Sequence, residues 1–297
     1  MQLPREESLR WIVSRYAGLL ARHGDGFGTP ELVQPTGAYF PDDFTPSGDG
    51  VARLVARLLE YAPVRDGLDV GLRFLSADGE EEQGASCGTG GCGTGACGTG
   101  TTGDAEVQDR VVERGEAYVI ELPTQAVAHP VVLTATLARS VGTIVLAEAG
   151  EEVGARELGG MSELSAIASG FGVLVASGGH VYGKSCGGAR ISKHTHLALE
   201  ETAIALALFA ELHGVKPSAV KTHLETTQRA AFVEAHDWVT SNPTLVTQLR
   251  TRPEMLEAGM FQCEETKGFF GKLLARRAAA EEERAFAFAP ARAKNSV

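Results

Sequence analysis

Four residues in one stretch have the chemistry to hold a metal ion: His180, Cys186, His194 and His196. Side chains alternate along an extended chain, so His194-Thr195-His196 would put two imidazoles on one face. His180 and Cys186 would then complete a four-ligand zinc set, structural in kind because no coordination position stays open. The spacing fits no standard zinc module. The competing reading is of histidines solvated in a polar connection, or capping a helix that begins near Leu197. The same stretch satisfies the phosphate-loop pattern Gly-x-x-x-x-Gly-Lys-Ser through Gly178, Gly183, Lys184 and Ser185. A phosphate loop needs a buried strand before it and a helix directly after it, so that amides and the helix N-terminus face the phosphates. Cys186-Gly187-Gly188 stands where that helix should start, which favours a plain glycine-rich connection.

Three further thiols, Cys87, Cys92 and Cys97, each open a Cys-Gly-Thr-Gly unit in a segment, 84–103, that carries no charge. Such a loop could gather a soft metal ion, form reversible disulfides or serve as a site of modification. So many glycines carry too much backbone entropy for a helix or an ordinary strand, and the plainer reading is a low-complexity insertion between two strands.

The elements that must position these groups are legible from periodicity. Leu9, Ile12, Tyr16, Leu19 and Leu20 make one apolar stripe, which predicts a covering helix over 6–23, and Val51, Leu54, Val55, Leu58 and Leu59 predict a second. Residues 68–74, 107–113 and 117–122 read as strands that would form a small antiparallel sheet, the last two joined by a turn around Gly115. From His129 onward the pattern is helical over 130–148, 161–178, 197–213, 218–239 and 243–250, with a charged helix over 272–284. Pro130, Pro217 and Pro243 fall at first turns, where a missing amide donor costs little. Two of these helices are very apolar. Arg139 in the middle of one, and the span 164–178 in the other, short of the roughly twenty residues a membrane needs, mark them as buried core helices.

The stretch Thr136-Leu137-Ala138-Arg139-Ser140-Val141-Gly142-Thr143, preceded by the strand Tyr118-Val119-Ile120-Glu121-Leu122, resembles the edge strand and active-site helix of a zincin-like metallopeptidase domain. The family it resembles consists of uncharacterised bacterial proteins whose helix carries His-Glu-x-x-His. In that motif, histidines at i and i+4 hold zinc on one helical face and the glutamate activates its water. The five motif positions fall here on Arg139, Ser140, Val141, Gly142 and Thr143, so both histidines and the glutamate are missing. The helix from Met161 to Val173 is similar to the family's second helix, and Glu163 stands nearest the place of its acidic third ligand. Further likeness lies in the run Thr202 to Ala210, in the first helix and in Tyr39-Phe40-Pro41-Asp42. The resemblance implies a zincin-like arrangement whose peptidase site is lost. Arg139 would bring a permanent charge to the place of a dication, and a pair between Arg139 and Glu163 would fill that place. The alternative is a core helix that never had chemistry, with Leu133, Leu137, Val141, Ile144 and Val145 inward and Thr136, Arg139 and Thr143 on a polar seam.

Composition bounds the rest. At 297 residues, 43% hydrophobic and 22% charged, the chain is long enough for a real core. A net charge of −11 with no basic patch opposes nucleic acid and anionic membrane as partners. The first residues form a charged amphipathic stretch with no signal-peptide pattern, and five cysteines clustered as these are do not make a secreted disulfide framework, so the expected location is the cytoplasm. The expectation is one α+β domain over 1–289, a small antiparallel sheet packed on a mainly helical, zincin-like carboxy-terminal half, with a disordered tail at 290–297. Its expected function is non-catalytic: structure, or the binding of a protein partner, without a cofactor. The alternatives are a metal-binding protein or metal-dependent hydrolase with zinc on relocated ligands, namely the His180, Cys186, His194 and His196 group, and thiol or metal binding by the cysteine repeat.

Overall fold

In the computed structural model, which describes residues 3–27, 29–75, 109–185 and 188–287, α1 (Glu6–Phe27) buries Leu9, Ile12, Val13, Tyr16 and Leu19 along one face. An ordered connection leads to α2 (Gly48–Tyr61), whose amino end is capped by the Ser47 hydroxyl accepting from the Gly50 amide at 3.2 Å. Val51, Val55 and Leu58, at helical spacing, turn inward. Three strands follow, β1 (Asp69–Leu75), β2 (Arg110–Arg114) and β3 (Ala117–Pro123), in spatial order β1-β3-β2.

The sheet is mixed, which corrects the expected antiparallel one. β2 and β3 form an antiparallel hairpin, but β1 lies parallel to β3, pairing Val70 with Tyr118 and Phe74 with Leu122. A parallel pair requires a connection of about a dozen residues or more, and residues 76–116 separate β1 from β3 along the chain. Central β3 buries Tyr118, Ile120 and Leu122, and also Glu121, which is held between Arg73 of β1 and Arg110 of β2.

Beyond a short 3₁₀ turn (Thr124–Ala128), α3 (Pro130–Glu148) starts at its proline as expected and buries nearly every position from Leu133 to Leu146. It crosses α4 (Leu158–Ala166), a π-helical turn (Ile167–Phe171) and α5 (Gly172–Gly179), which together form one long broken helix. Gly170 makes the break possible. Its φ is +96°, and a side chain there would collide with the Glu31 carbonyl, while its own carbonyl accepts from the Val33 amide at 3.0 Å. The length reason for refusing a membrane hairpin therefore fails, since Leu158–Gly179 runs 22 residues; 67% of the apolar window of α3 and 89% of that of the second helix are nevertheless buried inside the protein.

The stretch expected to be irregular is a hairpin of β4 (His180–Ser185) and β5 (Gly188–Lys193), leading to α6 (Leu199–Leu212), which is buried at every position from Thr202 to Ala210. The expected helix over 218–239 is two, α7 (Pro217–Lys221) and α8 (Thr226–Ser241). Glu225 and Gln228 build a capping box between them, which starts a new helix where periodicity alone sees continuity. Then come α9 (Pro243–Thr251), a short α10 (Pro253–Glu257) and α11 (Phe269–Ala287). Residues from α1 through α10 and from β3 share one hydrophobic core, so the class is α+β.

Candidate functional site

The most unusual side chain in this core is Arg139, at the middle of α3 and only 4% exposed. A buried guanidinium must find partners for its charge and its donors. It finds carboxylates on two separate segments: Asp109, just before β2, and Glu163 on α4, 3.5 Å away. It also donates to the His194 carbonyl, at 2.6 Å, beyond the end of β5. Three chain segments far apart in sequence are thereby tied to one helix.

Small residues set this meeting. At Gly142 a side chain would collide with the Ser162 carbonyl, so α3 and α4 can touch backbone to backbone only because that position is glycine. The same crossing brings Thr143 Oγ1 to donate to Ser162 Oγ at 2.8 Å, while Ser162 donates to the Leu158 carbonyl at 2.7 Å. Ser140 Oγ lies 3.1 Å from the second oxygen of Asp109. Arg139 and Thr143 of the expected seam thus make polar contacts across the crossing, and Ser140 joins them.

Glu163 is fully buried and accepts at both oxygens, from the His196 amide at 2.7 Å and the Leu197 amide at 2.9 Å, besides Arg139. Burial pushes its pKa up to about 7, against the opposing pull of Arg139 and the two amides. Glu163 therefore shares with Arg139 the task of holding the chain between β5 and α6.

Of the four expected metal ligands the structure describes three, and His180, His194 and His196 do not come together as a metal-holding group. His180 lies in β4 and is buried, and burial lowers its pKa to about 4, helped by Lys193 and His194. His194 has passed the end of β5, and the chain bends at His196, so the alternation that would align these two imidazoles is absent. The His196 ring instead lies over Gly159. Burial also lowers the pKa values of His194 and His196, with Arg139 next among the causes for each. Among the described residues, no three His, Cys, Asp or Glu side chains form a group that could hold a metal ion. Cys186 and the repeat cysteines Cys87, Cys92 and Cys97 lie outside the described residues, as does the 290–297 tail.

Nor does the Arg139 cluster fit zinc. Of its motif positions, Arg139, Ser140 and Thr143 supply no strong ligand, and both carboxylates of the cluster are taken up, Glu163 by the guanidinium and two amides and Asp109 by the guanidinium and the Ser140 hydroxyl. The phosphate-loop pattern fails on context. Gly178 is in the last turn of α5 and packs on the Val131 carbonyl, while Gly183, Lys184 and Ser185 belong to β4, so a helix precedes a strand where the reverse is needed.

Asp109 is the member of the cluster that sequence reasoning missed. It fell inside an expected strand, and no spacing rule joins residue 109 to residue 139. Compared with family models, with curated proteins and with solved structures, the chain matches none.

Proposed function

We propose that this chain is a non-catalytic protein on a degenerate zincin-like scaffold, in which a guanidinium has replaced the metal as the cross-link and the molecule serves a structural or partner-binding role. The observation that carries the reading is the double engagement of Arg139 by Glu163 and Asp109. Arg139 and Glu163 are the residues that the resemblance puts at the first and third ligand positions, and they meet across the α3–α4 crossing. A permanently charged group there repels a dication, and the motif positions carry neither the histidines that would hold one nor the glutamate that would activate its water.

The test is metal content. Untagged protein purified without chelators should hold no stoichiometric metal by elemental mass spectrometry. A variant with Arg139→His, Ser140→Glu and Thr143→His, its folding checked by circular dichroism, should take up one zinc ion. Stoichiometric zinc in the native chain, lost on changing His194 and His196 to Ala, would overturn the proposal in favour of relocated ligands. A folded triple variant that binds no zinc would overturn the scaffold reading.

A further inference from the structure

A cavity of about 500 Å³ opens at the first turns of α3, which Pro130, Val131 and Thr134 bring to its wall, within the range of small-molecule sites. Its wall is assembled from five separate parts of the chain: the 35–44 connection, α2, the first turns of α3, the end of α5 and the turn before α8. Two of the large apolar side chains that remain exposed among the described residues, Val131 at 55% and Phe44 at 36%, both line it, together with Phe40, Leu54 and Leu174. An apolar wall that stays wet costs free energy, which an apolar ligand body would recover.

The polar lining is one-sided. Thr134 Oγ1 already donates to the Pro130 carbonyl at 2.8 Å and Ser177 Oγ to the Leu174 carbonyl at 3.2 Å, so both hydroxyl hydrogens are spent and lone pairs are what they offer. Two carboxylates, Asp42 and Glu225, also line the cavity, whereas no Lys or Arg does among the described residues. Arg57 pairs with Asp42 at 3.1 Å, and the Glu225 amide donates to Gln228 Oε1 at 3.0 Å, but a carboxylate has further lone-pair sites. His223 completes the rim.

Acceptors around an apolar hollow call for a donor-rich head on an apolar body. We propose that this cavity binds a small primary ammonium compound with an alkyl or arylalkyl body, its ammonium directed to Glu225, Ser177 and Thr134. The three N–H bonds of a primary ammonium match acceptors whose own hydrogens are engaged elsewhere, and its charge suits a lining with carboxylates and no cation. An anionic amphiphile would meet two lining carboxylates, only one of which, Asp42, has an arginine paired with it among the described residues. The site does not depend on the degenerate-scaffold reading, because its lining shares no residue with the Arg139 cluster.

Titration calorimetry with decylammonium, decanol and decanoate, each below its micelle concentration, tests this. Decylammonium should bind saturably at one site, about tenfold or more tighter than decanoate. Val131→Trp, at an exposed position, should fill the hollow and abolish binding without changing the charge of the protein. Glu225→Gln, which keeps a capping acceptor, should narrow the gap between decylammonium and decanol. Decanoate binding as tightly as decylammonium, binding unchanged in the Val131→Trp protein, or no saturable binding of decylammonium would each overturn the proposal.

Discussion

Arg139 of α3 and Glu163 of α4 face each other at 3.5 Å inside the core, each side chain no more than 5% exposed. Neither satisfies the other alone. Arg139 turns also to Asp109 and the His194 carbonyl, and Glu163 to two amides, so the pair is the centre of a wider lattice that ties α3, α4, the start of β2 and the β5–α6 connection together. In a low-dielectric interior such a lattice is costly to open at one member, because the remaining charges lose partners without regaining water.

Replacement of Arg139 by Met should therefore be severe. It leaves Asp109 and Glu163 buried without a counter-charge, and breaking a buried pair in this way costs about 3–5 kcal/mol. Arg139→Lys keeps the charge but not the fork that spans two carboxylates, so it should lose clearly less. Urea denaturation followed by circular dichroism checks the order. An Arg139→Met protein as stable as the parent would show that the cluster contributes nothing.

At Gly142 the expected loss has a different origin. An added methyl meets the Ser162 carbonyl, which belongs to a helix backbone and cannot swing away as a side-chain tip could. The helices must separate, and Gly142→Ala should cost about 1–3 kcal/mol or more by overpacking. Because the separation also pulls Thr143 from Ser162, Thr143→Val should cost less in the Gly142→Ala background than in the parent. A double-mutant cycle of denaturation free energies measures that coupling.

Gly170 and Gly214 make an internal comparison. Both have positive φ, +96° and +65°, but only Gly170 has a backbone atom, the Glu31 carbonyl, where a side chain would go, whereas nothing lies near Gly214. Gly214→Ala should cost about 1 kcal/mol from backbone strain alone, and Gly170→Ala should cost more than that. Equal shifts in the two melting temperatures would mean that the Glu31 contact yields freely.

What the sequence made legible is what local pattern encodes. Pro130 marked the start of α3, the apolar stripes marked α1 and α2, and Arg139 and Glu163 were singled out as two charges whose pairing could fill one place, where the structure has them 3.5 Å apart. What it hid is non-local. The pairing of β1 with β3 depends on where a long connection returns, which no residue of β1 records. The β4–β5 hairpin lacks apolar alternation, being built from Gly183, Lys184, Gly188 and Arg190 among others, so period-two reasoning passed over it. The break before α8 did have a signal, the Glu225 to Gln228 capping pair, hidden by apolar positions that continue in register on both sides. Asp109 had none, because its role exists only once the strand it precedes is laid beside α3.

The raised pKa of Glu163 gives the lattice a pH signature. Its pKa is about 7 in the folded protein and near 4.5 in the unfolded chain, so between these values the folded state holds a proton that the unfolded state has released. Stability from this group is full below 4.5 and is lost as pH rises through 7, a change of about 3 kcal/mol in total. His180 acts in the opposite sense. Its folded pKa of about 4 lies below the ordinary 6.5, so its contribution is lost as pH falls through that interval. The Glu163 effect is isolated by difference: unfolding free energies of the parent and of Glu163→Gln, measured by urea from pH 5 to 8.5, should diverge in slope, the parent falling more steeply with pH. Arg139 lowers the pKa of Glu163, so in the Arg139→Met background the extra fall should extend to higher pH. Parallel profiles for the parent and Glu163→Gln would show that Glu163 stays ionised throughout and that its donors outweigh its burial.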